Sequence, residues 1–122
     1  MNPKYRVAIV DDDDGVRQSL SSLVRSLGHE VRTYDSAAAF LAEAEYRPDC
    51  LLADIQMPQM NGDVLQQELL ARGAAFPMIF MTAFPTDALR DRVMGRGAVA
   101  FLAKPVDGEA MLQSLAQALT HT

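Results

Sequence analysis

The chain has 122 residues, of which 49% are hydrophobic and 22% charged, and its net charge is −5. That length suits one domain, 1–122, able to bury about two-thirds of the surface its unfolded form would expose, and the composition excludes a disordered chain. The negative balance argues against direct nucleic-acid binding, which needs a basic footprint to displace counterions, and no apolar run approaches the roughly 18 residues of a membrane span.

Short apolar runs at 7–10, 31–34, 50–53, 78–81 and 100–103 predict five strands. The first follows Lys4 without the apolar core and cleavage site of a signal peptide, so a cytoplasmic location is expected. Next, Val16, Leu20, Leu23, Val24 and Leu27 fall at i, i+4, i+7, i+8 and i+11, the stripe of one helix, and Gly28 suits its C-terminal cap. His29 follows that turn and His121 sits in the terminal tail; both are read as surface residues. After the second strand, Ser36 caps a helix through Phe40 and Leu41. Cys50 opens the third strand, and one cysteine in an apolar run reads as core filler in a reducing compartment. Val64, Leu65 and Leu69 then mark a helix ending near Gly73. Pro85 starts a mostly polar fourth helix, about 86–96, with Leu89 and Val93 inward. A fifth helix carries Met111, Leu112, Leu115 and Leu119 after the cap residue Asp107. Regular alternation implies a doubly wound α/β fold, (βα)5, with a parallel sheet and helices on both faces.

Open parallel sheets bind ligands outside the carboxyl ends of their strands. Strand one ends in Asp11-Asp12, strand three in Asp54, strand four in Thr82 and strand five in Lys104. Three carboxylates, a hydroxyl and an ammonium thus share one edge. Converging carboxylates repel unless a cation joins them, and hard oxygen ligands suit Mg²⁺, or Mn²⁺ in its place. A phosphate group completes such a site.

The motifs Ile9-Val10-Asp11-Asp12, Asp54-Ile55-Gln56-Met57-Pro58, Met81-Thr82-Ala83 and Lys104-Pro105 resemble the receiver domains of two-component response regulators, across nearly the whole chain. Asp35-Ser36-Ala37 with Phe40-Leu41 is similar to the FixJ-like branch. The resemblance implies a flavodoxin-like sheet of order 2-1-3-4-5 and a phosphorylation-dependent signalling switch, not an enzyme with its own substrate. It implies that Asp54 accepts a phosphoryl group from a histidine kinase, assisted by the domain itself. Asp12 would then ligate Mg²⁺ directly and Asp11 largely through water, with Asp54 and the backbone carbonyl of Gln56 adding oxygens. Lys104 would neutralise charge on Asp54 and the phosphoryl group, and the Thr82 hydroxyl would donate to a phosphoryl oxygen.

The same resemblance makes Phe101, three before the lysine, a residue that turns inward on activation; permanent core packing is the equal alternative. Pro105 belongs to a bond that is often cis in the family, and both isomers stay open. Gln56 and Phe84 flank the path of attacking water and are expected to set the lifetime of the phosphoryl group, with bulky Phe84 slowing hydrolysis. Met57 and Met60 beside the site read as packing. An output domain or a phosphorylation-dependent homodimer is an expected partner, and stand-alone and attached receivers both fit.

Four other readings fit the residues less well. Asp11-x-Asp13 after the first strand resembles the nucleophile motif of haloacid-dehalogenase-type phosphohydrolases, which would make Asp11 the nucleophile; the threonine after the aspartate pair is missing and 122 residues are few for that fold. An interaction domain that is never phosphorylated would normally lose an acid, the threonine or the lysine, and all are present. An EF-hand fails on register, and a flavin site fails because Asp11 to Asp14 would repel the phosphate.

Overall fold

The computed structural model describes residues 4–43 and 45–120. In chain order it holds β1 (Arg6–Val10), α1 (Asp14–Ser26), β2 (Glu30–Tyr34), α2 (Ala37–Leu41), β3 (Cys50–Asp54), α3 (Gly62–Ala71), β4 (Met78–Thr82), α4 (Asp87–Gly95), β5 (Ala100–Ala103) and α5 (Gly108–Leu119). The strands form one parallel sheet of order β2-β1-β3-β4-β5, the order expected of a flavodoxin-like fold.

Side chains alternate across the strands and so divide the core in two. Val7, Ile9, Leu52, Ile79 and Met81 point to one face and pack with Leu20 and Val24 of α1 and Met111, Leu115, Ala118 and Leu119 of α5. Ala8, Val10, Leu51, Ala53 and Phe80 point to the other and meet Phe40 of α2, Leu65 and Leu69 of α3 and Val93 of α4. The central strands β3 and β4 are buried at every position because helices cover both faces. At the sheet edge β2 is open, and most of its residues are exposed.

Local chemistry sets the helix ends. Asp13, Ser36, Thr86 and Asp107 each accept a hydrogen bond from a backbone N–H in the first turn of α1, α2, α4 and α5. Gly28, at φ 89°, occupies the left-handed position after α1, and its N–H donates to the Arg25 carbonyl at 2.9 Å.

Five expectations change. Pro85 does not open α4: it stands one residue before the cap Thr86, and the helix begins at Asp87. Leu27, Val64 and Leu112 are exposed: Leu27 lies just past the end of α1, while on α3 the inward stripe runs through Leu65, Gln66 and Leu69. His29 is half-buried rather than on the surface, since the Tyr5 N–H donates to its Nδ1 at 3.3 Å and the two rings touch. His121 lies outside the described residues. Cys50 is fully buried, and burial pushes its thiol up to about 12, so it packs as an inert core residue. Met57 is buried and Met60 packs against the same cluster, as filler. Among the described residues no helix is long and apolar enough to cross a membrane.

Candidate functional site

Where β1, β3, β4 and β5 end, the chain brings together Asp11, Asp54, Thr82 and Lys104, with Asp12 at the rim. The parallel register accounts for this, because Asp54 pairs with Met81 and Thr82 with Ala103, so neighbouring strands stop at nearly one level. Backbone bonds continue the alignment past the strand ends. The Ile55 N–H donates to the Met81 carbonyl at 2.9 Å, and the Lys104 N–H to the Thr82 carbonyl at 2.8 Å.

Lys104 Nζ lies 2.9 Å from Asp11 Oδ2 and 3.2 Å from Asp54 Oδ1, so one ammonium bridges two buried carboxylates. Carboxylate oxygens of Asp11, Asp12 and Asp54 all lie within 4.8 Å of one another. The charges are unequal, three acids against one lysine. Burial first, and then repulsion from Asp11, pushes the Asp54 carboxyl up to about 6, although Lys104 pulls the other way. Burial works to lower the Lys104 ammonium, but its bonds to Asp11 and Asp54 outweigh that and hold it above its ordinary value. An edge with hard oxygen donors, converging acids and too little positive charge is suited to a divalent cation.

Asp11 is held from several sides. The Asp13 N–H donates to its Oδ1 at 2.9 Å, and Arg17 of α1 donates from Nη1 to its carbonyl oxygen at 2.5 Å. Thr82 is fully buried. Its hydroxyl donates to Gln56 Oε1 at 2.5 Å and accepts from the Phe84 N–H at 3.0 Å. The Phe84 ring stands 71% exposed beside this loop. Phe101 is half-buried against the core face that holds α3 and α4, and the Lys104-Pro105 bond is cis.

The residue pattern does not locate two further contributors. Gly62 opens α3 directly under the site, where a Cβ would lie 2.3 Å from the Asp54 carbonyl oxygen; only a residue without one lets the helix come so close to the end of β3. A glycine directly after a helix-capping asparagine hints at such an approach but does not locate it. Arg17 is the second, an α1 residue whose bond to Asp11 depends on how the helix lies over the strand.

Residues 7–116 match the family model of the response regulator receiver domain. The chain is 37% identical over 114 residues to the response regulator protein TmoT of Ectopseudomonas mendocina, covering 93% of this chain and 52% of that protein. It is 40% identical over 114 residues to the transcriptional regulatory protein FixJ of Azorhizobium caulinodans, covering 93% and 54%. The chain thus spans about half the length of these curated relatives. Among solved structures, the crystal structure of FixJ-N superposes with a TM-score of 0.88 at 32% identity, over 99% of this chain and 98% of that one. The chemotaxis response regulator CheY4 of Vibrio cholerae gives 0.86 at 27% identity, over 96% and 100%. These relatives are response regulators and lend nothing to the phosphohydrolase reading of Asp11. The chain belongs to the response regulator receiver domains of two-component systems and is similar to the FixJ branch.

Proposed function

We propose that residues 1–122 act as one receiver domain in which Asp54 accepts a phosphoryl group from the phosphohistidine of a histidine kinase. The observation that carries this is the placement of Asp54 Oδ1 3.2 Å from Lys104 Nζ, at a buried strand end, with Asp11 and Asp12 within one ion's reach. An Asp54 oxygen attacks phosphorus as the bond to the histidine nitrogen breaks, and the phosphoryl group ends as an acyl phosphate. Phosphoryl transfer is mostly positioning and charge neutralisation. With its carboxyl at about 6, Asp54 is largely ionised near neutral pH and able to attack. Asp11, Asp12, Asp54 and the backbone carbonyl of Gln56 would hold Mg²⁺ or Mn²⁺, which would supply further positive charge at the transferring oxygens. Lys104 stays with the phosphoryl group, and the Thr82 hydroxyl turns to donate to one of its oxygens.

Movement of Thr82 then draws the loop after β4, and Phe101 and Pro105 on the neighbouring strand end respond. Phe84 and Gln56 flank the approach of water and set how long the acyl phosphate lasts. The domain therefore assists its own phosphorylation and dephosphorylation without being an enzyme with a turnover of its own. Relatives about twice as long support a receiver that governs an output domain, or one that dimerises when phosphorylated. A cytoplasmic site of action fits a partner kinase. Intact-mass spectrometry with peptide mapping after acetyl phosphate and Mg²⁺ tests the assignment. One labile phosphoryl group on Asp54, lost in Asp54→Asn and without Mg²⁺, is expected; label on Asp11, or no label from this donor or a panel of kinases, refutes it.

A further inference from the structure

A hydroxyl has one proton to give. Thr82 gives it to Gln56 Oε1, at 2.5 Å, while its oxygen accepts from the Phe84 N–H. Gln56 Oε1 can only accept, so the hydroxyl is the donor of that bond, and one of its two lone pairs serves the Phe84 N–H. In the proposed function that same proton is wanted by a phosphoryl oxygen on Asp54, two residues before Gln56. Two acceptors therefore compete for one donor.

We infer that Gln56 is a positioning residue of the switch, whose side-chain carbonyl holds the Thr82 hydroxyl in its resting orientation until a phosphoryl oxygen takes its place. This rests on the assignment of Asp54 as the phosphoacceptor. The surrounding bonds make the exchange local. Lys104 N–H to the Thr82 carbonyl, and Ile55 N–H to the Met81 carbonyl, anchor the backbone on either side of β4's end, so it is the Thr82 side chain that reorients. Reorientation strips the Phe84 N–H of its acceptor and frees the first residues after β4, which lead into α4. Release of Gln56 and release of the loop are then one event. A ligand shifts such an equilibrium only by its differential affinity for the two states, so a resting bond to Gln56 lowers the apparent affinity for the phosphoryl group.

The test removes the competing acceptor with Gln56→Met, similar in length but without the carbonyl. In the metal-free, unphosphorylated protein the Phe84 amide is expected to exchange its hydrogen several-fold faster than in the native chain. With Mg²⁺, calorimetric titration with beryllofluoride, a phosphoryl analogue, should show binding about five-fold tighter, the equivalent of one neutral hydrogen bond. In a Thr82→Val background the same substitution should change nothing. Unchanged Phe84 exchange and unchanged beryllofluoride affinity would overturn the inference, as would a gain that persists without the Thr82 hydroxyl. Acetyl phosphate labelling separates the two levels: an unlabelled native protein refutes the phosphoacceptor assignment and the latch with it, whereas a labelled protein with no Gln56 effect refutes the latch alone.

Discussion

The two faces of the sheet are built differently. On the α1 and α5 side, Leu20, Val24, Met111, Leu115, Ala118 and Leu119 close over apolar strand residues, and the buried Ser114 hydroxyl is satisfied within its own helix by the Ala110 carbonyl. On the other side, α4 buries Val93 alone. Polar ties do the rest: Gln66 Nε2 donates to the Val93 carbonyl at 2.9 Å, Arg92 pairs with Asp63 at 2.8 Å, and Arg96 donates to the Asp63 carbonyl at 3.0 Å. Gln66 is itself buried, and its Oε1 has no partner. Close-packed apolar burial is strong and resists displacement, while partly exposed ion pairs are weak and an orphaned buried carbonyl works against the packing around it. The helix that follows the Thr82 loop is therefore the one least firmly held. A receiver needs one element that can shift at low cost over a scaffold that does not, and the division between the faces supplies it.

Truncation on the firm face sets the largest contrast. Leu115→Ala should destabilise by about 3 kcal/mol, since a fully buried leucine leaves both lost transfer energy and a cavity. Val93→Ala removes less buried surface and lies where α4 can settle inward, so about half that cost is expected. Urea unfolding monitored by circular dichroism measures both; equal costs would break the comparison.

A weak seam must also be told apart from the charged edge, which lies on neither face. Asp54 has a carboxyl moved from 3.8 to about 6 in the fold. Below about pH 4 it is protonated in both states and costs nothing. Between about 4 and 6 the native state binds more protons than the unfolded one, so stability falls as pH rises, and above 6 the full penalty remains. That shift bounds the penalty at about 3 kcal/mol. Metal-free Asp54→Asn should accordingly be more stable than the native chain by up to that amount at pH 7.5, with the difference vanishing near pH 4. A difference independent of pH would place its origin elsewhere.

The smallest effect sharpens the comparison at the seam. Gln66→Met keeps the volume, removes the orphaned carbonyl and gives up one hydrogen bond, whose acceptor Val93 still receives the Arg96 and Ala98 N–H groups. A net gain of ~1 kcal/mol is expected, the same at pH 5 and pH 7.5. A loss of stability would mean that Gln66 holds α4 more firmly than its satisfied bond accounts for.

How much of this was legible in the residues alone varies by distance along the chain. Ser36 and Asp107 were readable as caps because a cap acts on the N–H three residues later. Asp11, Asp54, Thr82 and Lys104 were readable as one site because each ends a strand of a parallel sheet, and that topology alone carries them to a common edge. Val64 is exposed although hydrophobic, because the stripe of α3 that meets α4 includes the polar Gln66 instead.

Sequence by itself thus determined the alternation of strand and helix, the caps and the membership of the acidic edge, all of which follow from periodicity or from bonds a few residues long. Only the tertiary structure decided that Gln56 takes the Thr82 proton across 26 residues, that Gln66 is buried against α4 across 27, and that α3 starts where Gly62 alone lets it touch Asp54. Those contacts depend on how close two packed elements come, a distance set by every side chain between them rather than by the residues that finally meet.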